Sequence, residues 1–233
     1  MYLLLFVSGS TRAQGKMGEL LLLIQHTANG KPLVLKDSNY TNSLNEHYQV
    51  TRLKYYISNI HFEQKTHSRL NQNIFLMDAA VDDTIRLQVP EGSYDRVHFT
   101  LGVDSALNCS GAQDGPLDPL NGMFWTWNSG YIFFKLEGYS SSSGADLNRI
   151  EHHIGGYQGA NKAGRQVDLL LENSLVMKEN DKKHLIIRLN LDRYWQSVNE
   201  IKIAANPVVM TPGQLARRSA DNFAAMFSVI SIK

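Results

Sequence analysis

The chain has 233 residues, 43% of them hydrophobic and 19% charged, which supports one sizeable core and excludes wholesale disorder. Lys and Arg number 23 against 22 Asp and Glu, so the net charge of +1 leaves no electrostatic footprint for nucleic acid and no polybasic patch for a membrane surface. The single cysteine, Cys109, can form neither an internal disulfide nor a cysteine-only zinc site, and no apolar run reaches the roughly 18–20 residues that span a bilayer.

Residues 1–16 open with the short apolar run Tyr2–Val7 and reach small residues at Thr11 and Ala13. That order matches the tail of a secretory signal peptide, which predicts a mature chain starting near Gln14 and a periplasmic or extracellular location; the alternative is a buried first strand or an extension. From residue 17 to 233 we read one domain, because no repeat and no break in composition divides it. Glu19–Thr27 is an apolar strand ending near His26, before a turn at Asn29-Gly30. Tyr48–Phe62, rich in β-branched and aromatic residues, predicts a long bent strand. Strands follow at Ile74–Met77, Thr84–Val89 and Ser93–Leu101, with Pro90-Glu-Gly92 as a turn. Further strands are predicted at Tyr131–Leu136, Ile150–Ile154, Val167–Leu171 and His184–Leu191. Many short strands with frequent turn signals predict an all-β, antiparallel sandwich. One short C-terminal helix is predicted over residues 211–227, with Thr211 able to cap it, Pro212 at its first position, and Leu215, Ala216, Ser219, Ala220 and Phe223 on one face.

Between two strands lies a loop from Gly102 to Gly122 that carries four glycines and two prolines, and leads into Met123-Phe-Trp-Thr-Trp-Asn-Ser-Gly-Tyr131. A loop of this length inside a compact domain is usually functional. Asp104 and Asp118 in it have the character of loop builders that bond their own backbone.

Gly102-Val-Asp-Ser105, Leu117-Asp-Pro119 and Gly122-Met-Phe-Trp-Thr-Trp-Asn-Ser-Gly-Tyr-Ile132 resemble the MbnP family of extracytoplasmic copper-binding proteins, in its Bacteroidetes-type branch. Leu53–Ile60, His153-Ile-Gly-Gly156, Val209–Ala216 and Ala220-Asp-Asn222 extend the likeness over nearly all of residues 19–227. The resemblance implies an immunoglobulin-like β-sandwich that holds copper through histidines and a kynurenine made from a tryptophan. It implies as partner a dihaem peroxidase-like protein of the MbnH type, and a role in acquiring or handling copper without catalysis. Relatives often end in a histidine-bearing tail; Phe227–Lys233 here has none.

Independently of the family, imidazole is the commonest nitrogen donor for copper, which heads the Irving–Williams order. The histidines are 26, 47, 61, 67, 98, 152, 153 and 184, with no His-x-His pair. His26 and His153 each stand before a turn, where sandwich loops gather; either alone reads as an ordinary strand-end residue, and it is this placement together with the family resemblance at His153-Ile-Gly-Gly156 that makes them the expected metal ligands. His152 should face away from His153, because side chains alternate along a strand. Trp125 and Trp127, two apart, should share a face; core packing and oxidative modification are both open to them, with Trp195 a third candidate for the latter. Cys109 could bind Cu(I) as a thiolate, but its place in the loop reads better as an oxidation-prone surface residue.

Two other function classes compete. An enzyme could use Asp104, Asp114, Asp118 and Glu137 as paired carboxylates, though no catalytic spacing supports it. A non-enzymatic glycan- or protein-binding module could use Phe124, Trp125, Trp127 and Tyr131 as an aromatic platform.

Overall fold

The computed structural model describes residues 16–63, 68–81, 84–111, 113–126 and 130–233. The predicted signal-peptide remnant, His67 and Trp127 lie outside the described residues. Its strands are β1 Met17–Ala28, β2 Lys31–Pro32, β3 Asn39–Thr41, β4 His47–Glu63, β5 Ser68–Asp78, β6 Thr84–Pro90, β7 Gly92–Leu101, β8 Phe124–Thr126, β9 Gly130–Tyr139, β10 Arg149–Gly155, β11 Arg165–Met177, β12 Lys182–Asn190, β13 Val208–Val209 and β14 Phe227–Ile232. The helices are α1 Ser105–Cys109, α2 Asp192–Trp195 and α3 Gln214–Ala224.

Among the described residues these strands form two sheets. The smaller has five strands, in the order β14-β12-β1-β2 with β6 also on β1; the larger has nine, built on β11-β7-β4-β9-β10-β13. The expectation of an antiparallel sandwich is corrected: both sheets are mixed. β1 runs parallel to β12, Glu19 opposite Lys182 through Thr27 opposite Asn190, and β10 runs parallel to β13. The apolar runs that mark β1 and β12 as strands are the same whichever way the neighbour runs, so they carry no information on strand direction. The expected helix is shorter than 211–227, beginning after Gly213, and two further short helices precede it. Its buried face holds Ala216, Ser219, Ala220 and Phe223 as expected. Beyond it the tail becomes a strand, β14, paired with β12.

The two sheets meet through one apolar core. Leu20, Leu22 and Ile24 of β1 and Leu185, Ile187 and Leu189 of β12 supply the small sheet's side. Leu53, Tyr55 and Ile57 of β4 and Phe134 and Leu136 of β9 supply the large sheet's side. Tyr55 and Phe99 both make edge-to-face ring contacts with Phe227 of β14, so these residues mark the inner face of the large sheet. The large sheet also buries its outer face near the middle of β4, because the segment from Gly102 to Trp125 folds over it. Tyr56 donates its hydroxyl to the Pro116 carbonyl at 2.8 Å, Ser58 donates to the Gly102 carbonyl at 2.9 Å, and Tyr131 donates to the Leu117 carbonyl at 2.7 Å. Asp104 caps α1 by accepting from the Leu107 amide, and Asp118 accepts from the Leu120 amide, so both carboxylates build the loop as their sequence positions suggest.

His152 is fully buried on the inner face. Its Nε2–H donates to the Asn206 carbonyl at 2.7 Å, which leaves Nδ1 to accept from the Tyr194 hydroxyl, also at 2.7 Å. Burial disfavours the imidazolium and holds its pKa down at about 4, against the bond to Asn206 that would raise it. A histidine whose folded pKa lies below its unfolded value of about 6.5 costs stability as pH falls, because the unfolded chain takes up the proton first. The loss begins below about pH 6.5 and levels off near pH 4. It amounts to roughly 3 kcal/mol, since each tenfold change in proton affinity is worth about 1.4 kcal/mol. We expect the His152 ring to stay neutral by NMR down to pH 5 in the folded protein, and urea midpoints to fall between pH 7 and 4.5 more steeply than in His152→Gln. A ring titrating with a midpoint above 6 would contradict this account.

Candidate functional site

The pleat of β10 divides its two histidines. His152 pairs across the sheet with Leu136 on the inner face, whereas His153 pairs with Lys135 on the outer face. His153 is almost wholly buried there, and its Nε2–H donates to Glu137 Oε1 at 2.8 Å. Glu137 also accepts from Arg52 of β4 at 2.8 Å and lies 3.7 Å from the Lys135 ammonium. The hydrogen bond from His153, with the charges of Arg52 and Lys135, holds the Glu137 carboxyl below the usual carboxylate range although burial works the other way. Burial in turn pulls Lys135 below its ordinary value, with Glu137 opposing that shift. Lys135 Nζ donates to the Gly122 carbonyl at 2.5 Å, which ties the charge cluster to the covering loop. Gly122 has φ of 70°, a left-handed value suited to glycine, and closes the second of two short 3₁₀ turns there.

Trp125 sits at the same end of β10. A Cβ on Gly155 would stand 2.8 Å from Trp125 Cζ3 and 2.6 Å from the Tyr131 carbonyl oxygen, so the indole lies directly on the glycine backbone. The pairing with β9 slips between Ile154, opposite Phe134, and Gly155, opposite Ile132, so Trp125 marks the end of β10 just past this irregularity, two residues beyond His153. The indole is half-buried, yet its Nε1 is fully buried and has no hydrogen-bond partner among the described residues. An orphaned buried N–H is uncommon in a folded protein and calls for a reason. Trp195 Nε1 is also buried without a hydrogen-bond partner among the described residues, but its whole ring lies in the inner core, edge-on to Tyr48 and Tyr194.

His26 is elsewhere. Its Nε2 is hydrogen-bonded to the Tyr55 hydroxyl at 2.9 Å, and Tyr55 belongs to the inner face. The large sheet therefore stands between His26 and His153, and the structure does not bring the two expected ligands together. Among the described residues no three His, Cys, Asp or Glu side chains converge in a way that could hold a metal ion. Cys109 is exposed at the end of α1. His61 and His98 stack across β4 and β7, with ring centroids 4.6 Å apart, and His98 has Glu63 at 3.0 Å from one nitrogen and Asp168 at 3.7 Å from the other.

The carboxylates weighed for an enzyme do not pair with one another: Asp104 and Asp118 cap the loop, and Glu137 serves His153 and two cations. Nor is the aromatic segment a raised platform, because Tyr131 is fully buried and Phe124 packs on it with ring centroids 4.9 Å apart. Sequence reasoning passed over Lys135 and Arg52 and met Glu137 only as a catalytic carboxylate. The available signal was the alternation Lys135-Leu136-Glu137 within an otherwise apolar strand, which marks a polar outer face.

Gly155→Ala tests the packing of the indole. The added methyl group meets Trp125 and a backbone oxygen within van der Waals distance, and overpacking of this kind costs about 1–3 kcal/mol. We expect a lower unfolding midpoint and a changed near-ultraviolet circular dichroism signal; a spectrum and midpoint equal to the parent would remove Trp125 from this position.

The MbnP family profile matches residues 17–211. Among solved structures the chain is similar to MbnP from Methylosinus trichosporium, with a TM-score of 0.58 and 16% identity over 80% of each chain, a likeness that shows a common fold. No match was found among curated proteins.

Proposed function

Because the chain belongs to the MbnP family, we propose that it is an extracytoplasmic, non-catalytic copper-binding protein, with its site near the end of β10 that holds His153 and meets Trp125. The observation that supports this reading is the match to the family over residues 17–211, together with a half-buried indole, Trp125, whose buried Nε1 has no partner among the described residues. An intact indole nitrogen donates a hydrogen bond and does not ligate a metal. Oxidative opening of the indole to kynurenine converts that same nitrogen into an aromatic amine and adds a ketone oxygen, both of them donors. His153 is one imidazole, and one imidazole is too few ligands for tight copper binding. A modified tryptophan would supply a further donor beside the imidazole without another histidine or cysteine.

The same reading selects among the tryptophans. Trp125 is half-buried and accessible from solvent, as an oxidising partner of the dihaem peroxidase-like, MbnH type requires; Trp195 is sealed in the core. Trp127 stays a candidate on its sequence position. His26 would hold copper only as a separate donor on the inner side of the sheet, where its Nε2 already meets Tyr55. Periplasmic or outer-surface location follows from the family and the apolar N-terminal run, and no helix among the described residues is long and apolar enough to cross a membrane. The glycan- or protein-binding alternative loses ground because its central ring, Tyr131, is buried.

Two measurements test the proposal. Peptide mass spectrometry of protein from its native host should find Trp125 or Trp127 with one carbon lost and one oxygen gained, and Trp195 intact. Copper titration should show His153→Ala lowering affinity by at least an order of magnitude, since removing one of few ligands removes a large share of the binding energy. His26→Ala should leave that affinity unchanged. The reverse pattern would move the site between the sheets to His26, and parental binding in both variants would end the histidine assignment.

A further inference from the structure

We propose that the cleft between the edges of β5 and β6 is a binding site for a small amphipathic carboxylate, with its apolar body on the cleft floor and its acid group at Arg86. The inference is independent of the copper reading and of every residue assigned to it.

Both sheets end on this side of the sandwich. Among the described residues β5 pairs only with β4 and β6 only with β1, so the two strands are edges that do not bond to each other. Between them the sheets leave a cleft of about 430 Å³. Small-molecule sites occupy roughly 300–1,000 Å³. The floor is made by Ile60 and Phe62 of β4, Leu87 and Val89 of β6 and Tyr94 of β7, all buried. The rim is made by Asn73, Arg86 and Gln88, all exposed, so the cleft opens to solvent. The backbone is irregular at the same place. Ser58 stands opposite Ile74 and Ile60 opposite Asn71, so the ladder breaks at Asn59, whose φ of 52° is left-handed, across from the step that contains Asn73. Bulges of this kind bend a strand and are frequent beside binding sites. Folded interiors leave few voids larger than a water molecule, so an apolar floor left open at this size is surface that a ligand would remove from water.

The lining selects the ligand. Among the described residues it holds one guanidinium, Arg86, one imidazole, His61, the amides of Asn73 and Gln88, and no carboxylate. Arg86 has an ion pair only with Glu19, at 3.9 Å, and its side chain is 72% exposed. An exposed pair of that kind is worth little, so a ligand carboxylate that meets the guanidinium with two parallel hydrogen bonds displaces it. Tyr94 offers its ring, because its hydroxyl already donates to the Pro90 carbonyl at 2.7 Å. The rings of Phe62 and Tyr94 meet edge to face, with centroids 5.8 Å apart, and give the floor an aromatic wall. A neutral apolar molecule would leave Arg86 unused, and a polyanion would find one guanidinium for several charges. A single carboxylate on an apolar body matches both parts of the cleft.

The test uses the full, metal-free chain, with 2-naphthoate as probe and its uncharged counterpart 2-naphthamide as control. Calorimetric titration should show saturable, one-to-one binding of naphthoate. Amide shifts in ¹H–¹⁵N NMR spectra should gather at residues 60–62, 86–89 and 94. Naphthamide should bind about tenfold more weakly, the worth of one charge-assisted pair. Arg86→Gln, a change at an exposed position that the fold tolerates, should weaken naphthoate about tenfold and leave naphthamide unchanged. A full chain that shows no saturable binding overturns the proposal, and so do shifts that gather elsewhere. Binding in the cleft that is equal for the acid, the amide and the Arg86→Gln variant overturns the choice of an anion and the role of Arg86.

Discussion

Successive side chains of a strand point to opposite faces, and along β10 that alternation separates two adjacent histidines into different chemical worlds. His152 enters the dry space between the sheets, where an imidazole is tolerated only with both nitrogens bonded and the ring neutral. His153 enters the outer layer, where a carboxylate takes one nitrogen and leaves the other. Moving the register by one residue would exchange the two environments, placing a ring with a free nitrogen in the core and a fully bonded one at the site. The stability of the sandwich and the chemistry of its outer face thus depend on the same pairing of β10 with β9.

The outer layer is an unusual place for charge. The Gly102–Trp125 segment covers the middle of β4 and β9 with Tyr56, Tyr131, Leu117 and Met123 buried beneath it. Beside that apolar patch lie Lys135, Glu137 and Arg52, partly withdrawn from water. Desolvating such groups is costly, and only mutual pairing with good hydrogen-bond geometry offsets the cost. An apolar trio would hold the loop as well. What it would not do is accept the Nε2 proton of His153, as Glu137 does at 2.8 Å.

The long loop owes its order to short-range chemistry. Asp104 and Asp118 accept from backbone amides two or three residues on, and tyrosine hydroxyls from the sheet below reach up to its carbonyls. Backbone groups that would otherwise be buried without partners are satisfied in this way, so a segment with little regular structure can lie on the sheet. Within this segment the Trp125 N–H has no acceptor among the described residues, and its ring lies where Gly155 lets it approach the backbone.

Much of this was legible in the chain. Apolar, β-branched and aromatic runs, alternating in part and bounded by turn residues, located β1, β4, β6, β7, β9, β10 and β12 within a few residues. The opposite orientations of His152 and His153 followed from the same rule, and the Phe-Trp-Thr-Trp block carried the family. What the sequence could not express was which strands lie beside which. The parallel pairing of β1 with β12 and the return of Phe227–Ile232 as β14 depend on contacts between residues far apart in the chain, and alternation is blind to the direction of a neighbour. For the same reason two histidines that both precede turns looked equivalent, although one belongs to each sheet and the large sheet stands between them. The sequence by itself determined most of the strands and the opposite facing of His152 and His153, because these are local properties of side chains. Only the tertiary structure decided that Glu137 faces His153 and that Trp125 covers Gly155, because both contacts are made by pairing between strands and loops whose order in space is set by the packing of the whole core.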